Sequence, residues 1–253
     1  MEKINCTNLA RVVTKAGVIL LESGAETSRV EDTMKRICLA YGADVVDAYV
    51  TPTVLIISFS RGEEMSHNIK RIENRNTNLN RVSLVNDLSR SLSTSIMPLE
   101  LLNEKLDNIA KTTTYGYKEL LFGSAICSFG FAFFFDGGLN DALVATFIGL
   151  ITYAVVLSLD KVTMTSFFKY SLSGAILTLL AIVAAYYNLC DRDIVIIASI
   201  MLLVPGLAIT NAIKDTVNGD LSSGLARAIE AIFIAIAIAV GSGLVFTLVR
   251  GLL

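Results

Sequence analysis

Six polar residues lie close together between two apolar runs near the carboxyl-terminal end of the chain. Among them, Arg227 is suited to bind a carboxylate, and Asn211 can hydrogen-bond the same group. Asp215 or Glu230 can take up a proton or an ammonium group. We therefore treat five of these polar residues as candidates for a solute path: Asn211, Asp215, Asp220, Arg227 and Glu230. The sixth, Lys214, lies beside them.

The apolar run before these residues contains Pro205 and Gly206. Proline removes a helical hydrogen bond, so the pair predicts a kinked or broken helix. A break at membrane depth is tolerated only where the freed backbone is buried in protein or lines an aqueous cavity. The pattern favours a polar vestibule. The alternative is a solvated cytoplasmic loop in which Arg227 acts only as a topology signal.

The elements that must position these residues are apolar enough for a lipid bilayer. Apolar residues make up 53% of the 253 residues, charged residues make up 17%, and the mean hydropathy is +0.62. Spanning a membrane takes roughly 20 helical residues. Five segments meet that length and are predicted as transmembrane helices at about 118–136, 139–159, 167–188, 193–213 and 228–250.

The placement of Lys and Arg predicts the orientation of these spans. Lys161 and Lys169 flank the second connection, and Lys214 and Arg227 flank the fourth, whereas the first and third connections hold only Arg192. Basic residues favour the cytoplasmic side. We expect a multi-pass protein of the plasma membrane with its N-terminal domain in the cytoplasm.

Residues 1–115 predict a cytoplasmic α+β domain. Helical spacing covers 7–22 and continues to Tyr41, strand-like runs cover 44–50, 54–59 and 65–72, and two further amphipathic helices follow. Ser23 with Glu26 and Ser28 with Glu31 fit capping boxes. The expected fold class is a membrane protein in which this α+β domain precedes an all-α bundle of five transmembrane helices, residues 116–253.

The sequence holds no recognisable catalytic motif and only one histidine, His67. Its four cysteines lack metal-ligand spacing. The net charge of −2 offers no basic face for nucleic acid. We therefore predict no enzyme activity, no metal, no cofactor and no nucleic-acid partner. The charged cluster Glu26, Arg29, Glu31 and Asp32 fits either a ligand site or an ordinary solvated helix start.

Small residues recur at four-residue spacing in the last predicted span. They are Ala231, Ala235, Ala239 and Gly243. Such a ridge allows another helix to approach closely. It fits packing inside this bundle or packing against another subunit.

Two groups of residues resemble the threonine/serine exporter family. The first comprises Gly24-Ala-Glu-Thr-Ser-Arg-Val-Glu-Asp32, which includes Thr27, with Thr51-Pro52-Thr53 and Val85-Asn86-Asp-Leu-Ser-Arg90. The second comprises Pro205-Gly206, Asn211, Asp215, Gly219-Asp220, Ser223-Gly224, Arg227 and Glu230-Ala231. Together they cover essentially the whole chain in the family's order.

The resemblance implies a secondary exporter of small polar carboxylate solutes: threonine and serine in one branch, dicarboxylates such as succinate in another. Fused members of the family have more spans than the five expected here. The chain therefore resembles the larger subunit of the split form, which works with a small multi-span membrane protein as a hetero- or homo-oligomer. The rival hypothesis is a membrane-anchored sensor or enzyme whose cytoplasmic domain carries the activity.

Overall fold

The structure, a computed structural model, describes residues 5–113, 115–162 and 164–250. The predicted domain ends at 1–4 and 251–253 therefore lie outside the described residues. The fold is mostly helical with one small sheet. Its elements are α1 Cys6–Glu22, α2 Thr27–Ala40, β1 Val45–Val50, β2 Val54–Arg61, β3 Glu64–Arg71, α3 Leu79–Ser91, α4 Leu99–Lys111, α5 Tyr117–Phe134, α6 Leu139–Leu159, α7 Ser166–Tyr186, α8 Arg192–Ile200, α9 Gly206–Val217 and α10 Leu221–Arg250.

One compact unit contains the described residues up to 113 together with Leu207–Ala228. Its sheet is antiparallel in the order β1-β2-β3, with Ile57 opposite both Ala48 and Asn68. Leu55, Ile57 and Phe59 alternate with more exposed residues along β2 and pack into the core with α1 and α2. The alternation follows from the two-residue period of a strand, and it gives the sheet one buried face.

Helices α1 and α2 and the three strands begin and end close to the predicted positions, but the two predicted capping boxes are wrong. Ser23 is the C-terminal cap of α1, and Ser28 already lies inside α2. Glu26 is the N-cap residue of α2, yet its side chain makes no capping hydrogen bond. The start of α2 therefore needs a partner from elsewhere in the chain.

The second unit contains residues 115–206 and the part of α10 from Ile229 onward. In the described part of the chain, three helices are long and apolar enough to cross a membrane: Leu139–Leu159, Ser166–Tyr186 and Leu221–Val249. Buried alanines such as Ala132, Ala142 and Ala145 form much of the core of this unit. Such small side chains let transmembrane helices approach closely.

The predicted span 193–213 is interrupted in the structure. Helix α8 has 9 residues and ends at Ile200, and α9 has 12 residues and begins at Gly206. Each piece is shorter than the roughly 20 residues that a straight span requires. Pro205 lies immediately before α9 and cannot donate a backbone hydrogen bond to Met201.

Two glycines of the second unit lie where helices touch. A β-carbon on Gly174 would come within 2.8 Å of the carbonyl oxygen of Ile238, and one on Gly241 would overlap the carbonyl of Ser171. Glycine therefore permits backbone contact between α7 and α10. Of the predicted small-residue ridge, Ala235, Ala239 and Gly243 are exposed. The buried contact with α7 lies at Gly241 instead.

Candidate functional site

The first turn of α2 is capped by a residue from α9. The first N–H groups of a helix have no partner inside the helix. Asp215 supplies one, because its Oδ1 accepts hydrogen bonds from the backbone N of Thr27 at 3.1 Å and from Thr27 Oγ1 at 2.9 Å. A carboxylate is also favoured at the positive end of the helix dipole. Asp215 thus caps the start of α2, the role that the sequence predicted for Ser23 or Ser28.

The Asp215 carboxylate is fully buried and has a charged partner. Its Oδ2 lies 2.9 Å from Nε of Arg227, and only 6% of the Arg227 side chain is exposed. Burying a charge is costly unless it is paired and hydrogen-bonded. The ion pair and the bonds to Thr27 together compensate the Asp215 charge.

Two further side chains bind the loop between α1 and α2. Arg227 donates from Nη2 to the carbonyl of Ala25 at 2.9 Å, and Asn211 donates from Nδ2 to the carbonyl of Gly24 at 2.9 Å. Gly24 has φ +88°, a conformation that glycine adopts easily. Arg227 and Asn211 therefore both bind backbone carbonyls of this loop.

Asp220 completes this group. Its Oδ2 lies 3.0 Å from Oγ1 of Thr27, which is also the donor to Asp215. A hydroxyl has a single proton, so Thr27 can donate to only one of the two carboxylates at a time. We call Thr27, Asn211, Asp215, Asp220 and Arg227 the cap cluster.

More exposed contacts surround the cap cluster. Glu26 accepts hydrogen bonds from Arg29 at 2.8 and 2.6 Å, and Lys214 Nζ lies 3.1 Å from its Oε2. Asn218 donates to Ser28 at 2.9 Å. Glu26 is thus engaged with two cations, which explains why it does not cap its own helix.

Glu31 lies on the next turn of α2 and accepts a hydrogen bond from the backbone N of Val50 at 2.9 Å. Burial raises the pKa of Glu31, and the nearby charges of Asp220 and Asp32 act in the same direction, against the Val50 hydrogen bond. Glu31 is therefore easier to protonate than an ordinary glutamate. The carbonyl of the same Val50 lies 3.5 Å from Ser223 Oγ.

The contacts of Glu26 predict that the stability of the fold depends on pH. Burial alone would raise its pKa, but the hydrogen bonds and charges of Arg29 and Lys214 outweigh burial and hold the pKa below the ordinary value of 4.5. Ionised Glu26 therefore stabilises the fold above pH 4.5, and this contribution is lost as the pH falls through the lower folded-state pKa. We expect the difference in melting temperature between wild type and Glu26→Gln to shrink on acidification from pH 7 to 4.

Glu31→Gln is the control, because the pKa of Glu31 is shifted the other way. A raised folded-state pKa means that ionised Glu31 costs stability at neutral pH, and the cost disappears on protonation. Wild type should therefore gain stability relative to Glu31→Gln as the pH falls. The same trend for both variants would contradict the assigned contacts.

The structure brings most of the sequence-predicted site residues together. The cap cluster joins four of the predicted path residues to Thr27 of the N-terminal motif, and Glu26 and Arg29 lie at its edge. The remaining predicted residues are not part of the cap cluster. Pro205, Gly206 and the exposed Glu230 belong to the second unit, and Asp32 is exposed on α2.

Sequence reasoning missed the partners of the polar residues. The carbonyls of Gly24 and Ala25 and the side chains of Ser28 and Asn218 carry no distinctive local pattern. One available signal was the N-cap position of α2, where glutamate is a poor capping residue. That signal indicates a missing partner without identifying Asp215.

Within the described ranges, no group of three His, Cys, Asp or Glu side chains is arranged to hold a metal ion. The chemistry that the cap cluster offers is ion pairing and hydrogen bonding. Arg227 pairs with a carboxylate, and Thr27 can move its hydrogen bond between Asp215 and Asp220.

Comparison with known proteins gives a consistent set of matches. A family model described as "Putative threonine/serine exporter" matches residues 11–249. The chain is 27% identical over 242 residues to the "Threonine/serine exporter" of Corynebacterium glutamicum, with 92% of this chain and 50% of that protein covered. The chain thus spans about half of that relative. No solved structure matches.

Two shorter relatives are covered almost completely. The chain is 23% identical over 248 residues to the "Probable succinate transporter subunit YjjP" of Klebsiella aerogenes, with 95% of this chain and 93% of that protein covered. It is 22% identical over 249 residues to the protein of the same name from Escherichia coli K12, with 95% and 94% covered.

Proposed function

This chain belongs to the threonine/serine exporter family, and we propose that it is a subunit of a secondary transporter that exports small carboxylate-bearing solutes. Threonine or serine and a dicarboxylate such as succinate are the two candidate cargoes. The match to residues 11–249 supports the transport class. The names of the relatives support both cargoes.

A membrane partner is part of this proposal. The chain aligns with half of one relative named as an exporter and with nearly all of relatives named as transporter subunits. Both observations support a second, small multi-span protein that supplies the remaining spans.

The proposed membrane arrangement has five spans and a cytoplasmic N-terminal domain in the plasma membrane. Three long apolar helices support it directly. In this arrangement α5 is a further span, and the interrupted run that contains α8 supplies the fourth, whereas α9 belongs to the N-terminal unit.

The observation that carries the site proposal is the buried Asp215–Arg227 ion pair, at 2.9 Å. Replacing a buried pair with apolar residues is often neutral or stabilising, so its cost favours a functional reason for keeping it. We propose that a solute carboxylate exchanges with Asp215 at Arg227.

The other path residues assist this exchange. Asn211 hydrogen-bonds the solute carboxylate, and Asp215 or Glu230 takes up a proton or the ammonium group of an amino acid. Asp220 holds the Thr27 hydroxyl while Asp215 is released. The loop at Gly24 and Ala25, which Arg227 and Asn211 bind, would then respond to solute.

Efflux from loaded cells tests the function. Cells preloaded with labelled threonine or succinate would express this chain alone, a small multi-span partner alone, or both proteins. Efflux above background is expected only with both. Efflux by this chain alone would reject the partner requirement.

The rival hypothesis is an anchored sensor or enzyme. Two results together would favour it. One is the absence of efflux for every carboxylate tested with every partner. The other is solute binding that persists when the chain is truncated after Ala228, where the part of α10 in the first unit ends. The absence of a recognisable catalytic motif in the sequence and the broken helix favour transport.

A further inference from the structure

The three-stranded sheet of the first unit has a second face that carries exposed apolar side chains. Leu55, Ile57 and Phe59 of β2 pack into the core, so the residues between them point the opposite way. On this opposite face, four large apolar residues are each more than half exposed: Val45, Tyr49, Met65 and Ile69. Large apolar side chains grouped on an exposed surface commonly mark an interaction site.

The strand register arranges this face in three rows that cross all three strands. Residues directly opposite each other in an antiparallel pair lie on the same face of the sheet. The first row is Val45, Ser60 and Met65, the middle row is Asp47, Ser58 and His67, and the last row is Tyr49, Ile56 and Ile69. We call these nine residues the outer sheet face. Its end rows are mainly apolar, and its middle row has an acid on β1 and an imidazole on β3.

The charged and polar groups of the middle row are complementary to those of a second copy of the same face. A two-fold axis parallel to β2 places β1 of one copy over β3 of the other. Asp47 of each copy then faces His67 of the other copy, and Ser58 faces Ser58. A carboxylate accepts a hydrogen bond from an imidazole N–H, so both groups find a partner in the contact.

The apolar rows fit the same rotation. It places Val45 of one copy opposite Met65 of the other, and Tyr49 opposite Ile69. Ile56, on the central strand, faces Ile56. Each exposed apolar side chain therefore meets another apolar side chain, and burying such surface stabilises the contact.

The other symmetric arrangement of two stacked sheets is disfavoured. A two-fold axis that crosses the strands would place β1 over β1, and Asp47 of one copy would lie over Asp47 of the other. Like charges that face each other across a contact are destabilising. The Asp47 charge therefore selects the axis parallel to β2.

We propose that the outer sheet face is the surface through which two copies of this chain associate, with Asp47 of each copy bound to His67 of the other. A three-stranded face is small beside a standard interface of about 800 Å² per partner, so we expect the contact to form between copies confined to one membrane. The proposal goes beyond transport, because the association is measured on the chain itself and does not depend on the solute.

Ser58 provides the test of this contact, because it lies at the centre of the outer sheet face. Packed sheets are about 10 Å apart, which is too far for a disulfide and within reach of a short bismaleimide. Ser58→Cys would be made in full-length protein that also carries Cys127→Ser and Cys190→Ser, since the other two cysteines are buried. In native membranes this variant is expected to give a cross-linked dimer of the chain.

Ser83→Cys is the matched control for cross-linking. Ser83 is also an exposed serine of the first unit, but it lies on α3 and not on the sheet. In the same cysteine background it should react with a maleimide and give no dimer.

A charge exchange tests the pairing across the contact. In the Ser58→Cys protein, His67→Asp places a carboxylate opposite Asp47 and should reduce cross-linking by about tenfold, because the contact occurs twice in a two-fold dimer. Adding Asp47→Lys restores a pair of opposite charges and should restore cross-linking. Both positions are exposed, so the variants should keep the melting temperature of the parent protein.

Several outcomes would overturn the proposal. They are no dimer with Ser58→Cys, equal dimer formation with Ser83→Cys, or a double charge variant that cross-links as weakly as His67→Asp alone. Cross-linking of Ser58→Cys to a co-produced small multi-span protein, in place of a second copy, would assign the face to that protein. Protection of Ser58→Cys from maleimide by anionic lipid vesicles, with no dimer, would assign it to the membrane surface.

Discussion

Arg227→Ala is expected to abolish nearly all solute export. The substitution removes the proposed carboxylate-binding group and leaves Asp215 buried without its ion-pair partner. Breaking a buried pair from one side costs about 3–5 kcal/mol. Export from preloaded cells that also produce the partner protein measures the effect, and the amount of protein in the membrane must be measured in parallel.

The single variant loses stability and function together, so a double variant is needed to separate them. Asp215→Asn keeps an oxygen that can accept from Thr27, and Arg227→Gln keeps an amide donor for the carbonyl of Ala25. The double variant is neutral at both positions, so it avoids the cost of an unpaired buried charge. We expect normal protein levels and no export.

Recovered export in the double variant would contradict the path assignment and leave the pair a purely structural role. Arg227→Lys, which keeps the charge but loses the planar fork, should retain a small part of the activity. Asp107→Asn serves as the control for charge removal, because Asp107 pairs with Lys15 on the surface of the same unit. It should leave export unchanged.

Gly241→Ala is expected to be the most destabilising small substitution in the membrane unit. The added β-carbon would overlap the backbone carbonyl of Ser171 on α7, and a backbone group cannot rotate away as a side chain can. Overpacking of this kind costs about 1–3 kcal/mol. The apparent melting temperature of the purified protein should fall clearly.

Gly243→Ala is the matched control on the same helix. A β-carbon at Gly243 would meet nothing within 4 Å, and alanine is a better helix former than glycine by about 0.5–1 kcal/mol. Its melting temperature should stay the same or rise slightly. Equal losses in the two variants would mean that α7 and α10 do not pack at Gly241.

Much of the fold is predictable from local patterns. The two-residue and 3.6-residue periods of the apolar residues predicted the three strands and helices α1 and α2 to within a few residues. The run at 139–159 coincides with α6, because turn residues bound it on both sides. The family identification from the two motifs is confirmed by the match to residues 11–249.

Such local patterns could not predict which residues of the cap cluster bind each other. Thr27 and Asp215 are separated by 188 positions, and no local period links them. Local pattern even predicted the wrong caps, since Ser23 and Ser28 have the right spacing to glutamates that form other contacts. A capping box competes with every other partner that the fold brings near, and tertiary contacts decide the outcome.

The sequence by itself determined which segments are apolar, where the fourth apolar run breaks, and which polar residues stand next to that break. These properties follow from composition, from helical period and from the missing N–H of Pro205. Only the tertiary structure decided that Leu207–Ala228 packs with the N-terminal unit and that Asp215 and Arg227 bind the start of α2. The physical reason is that a buried charge must find a partner, and chain folding determines which partner is within reach.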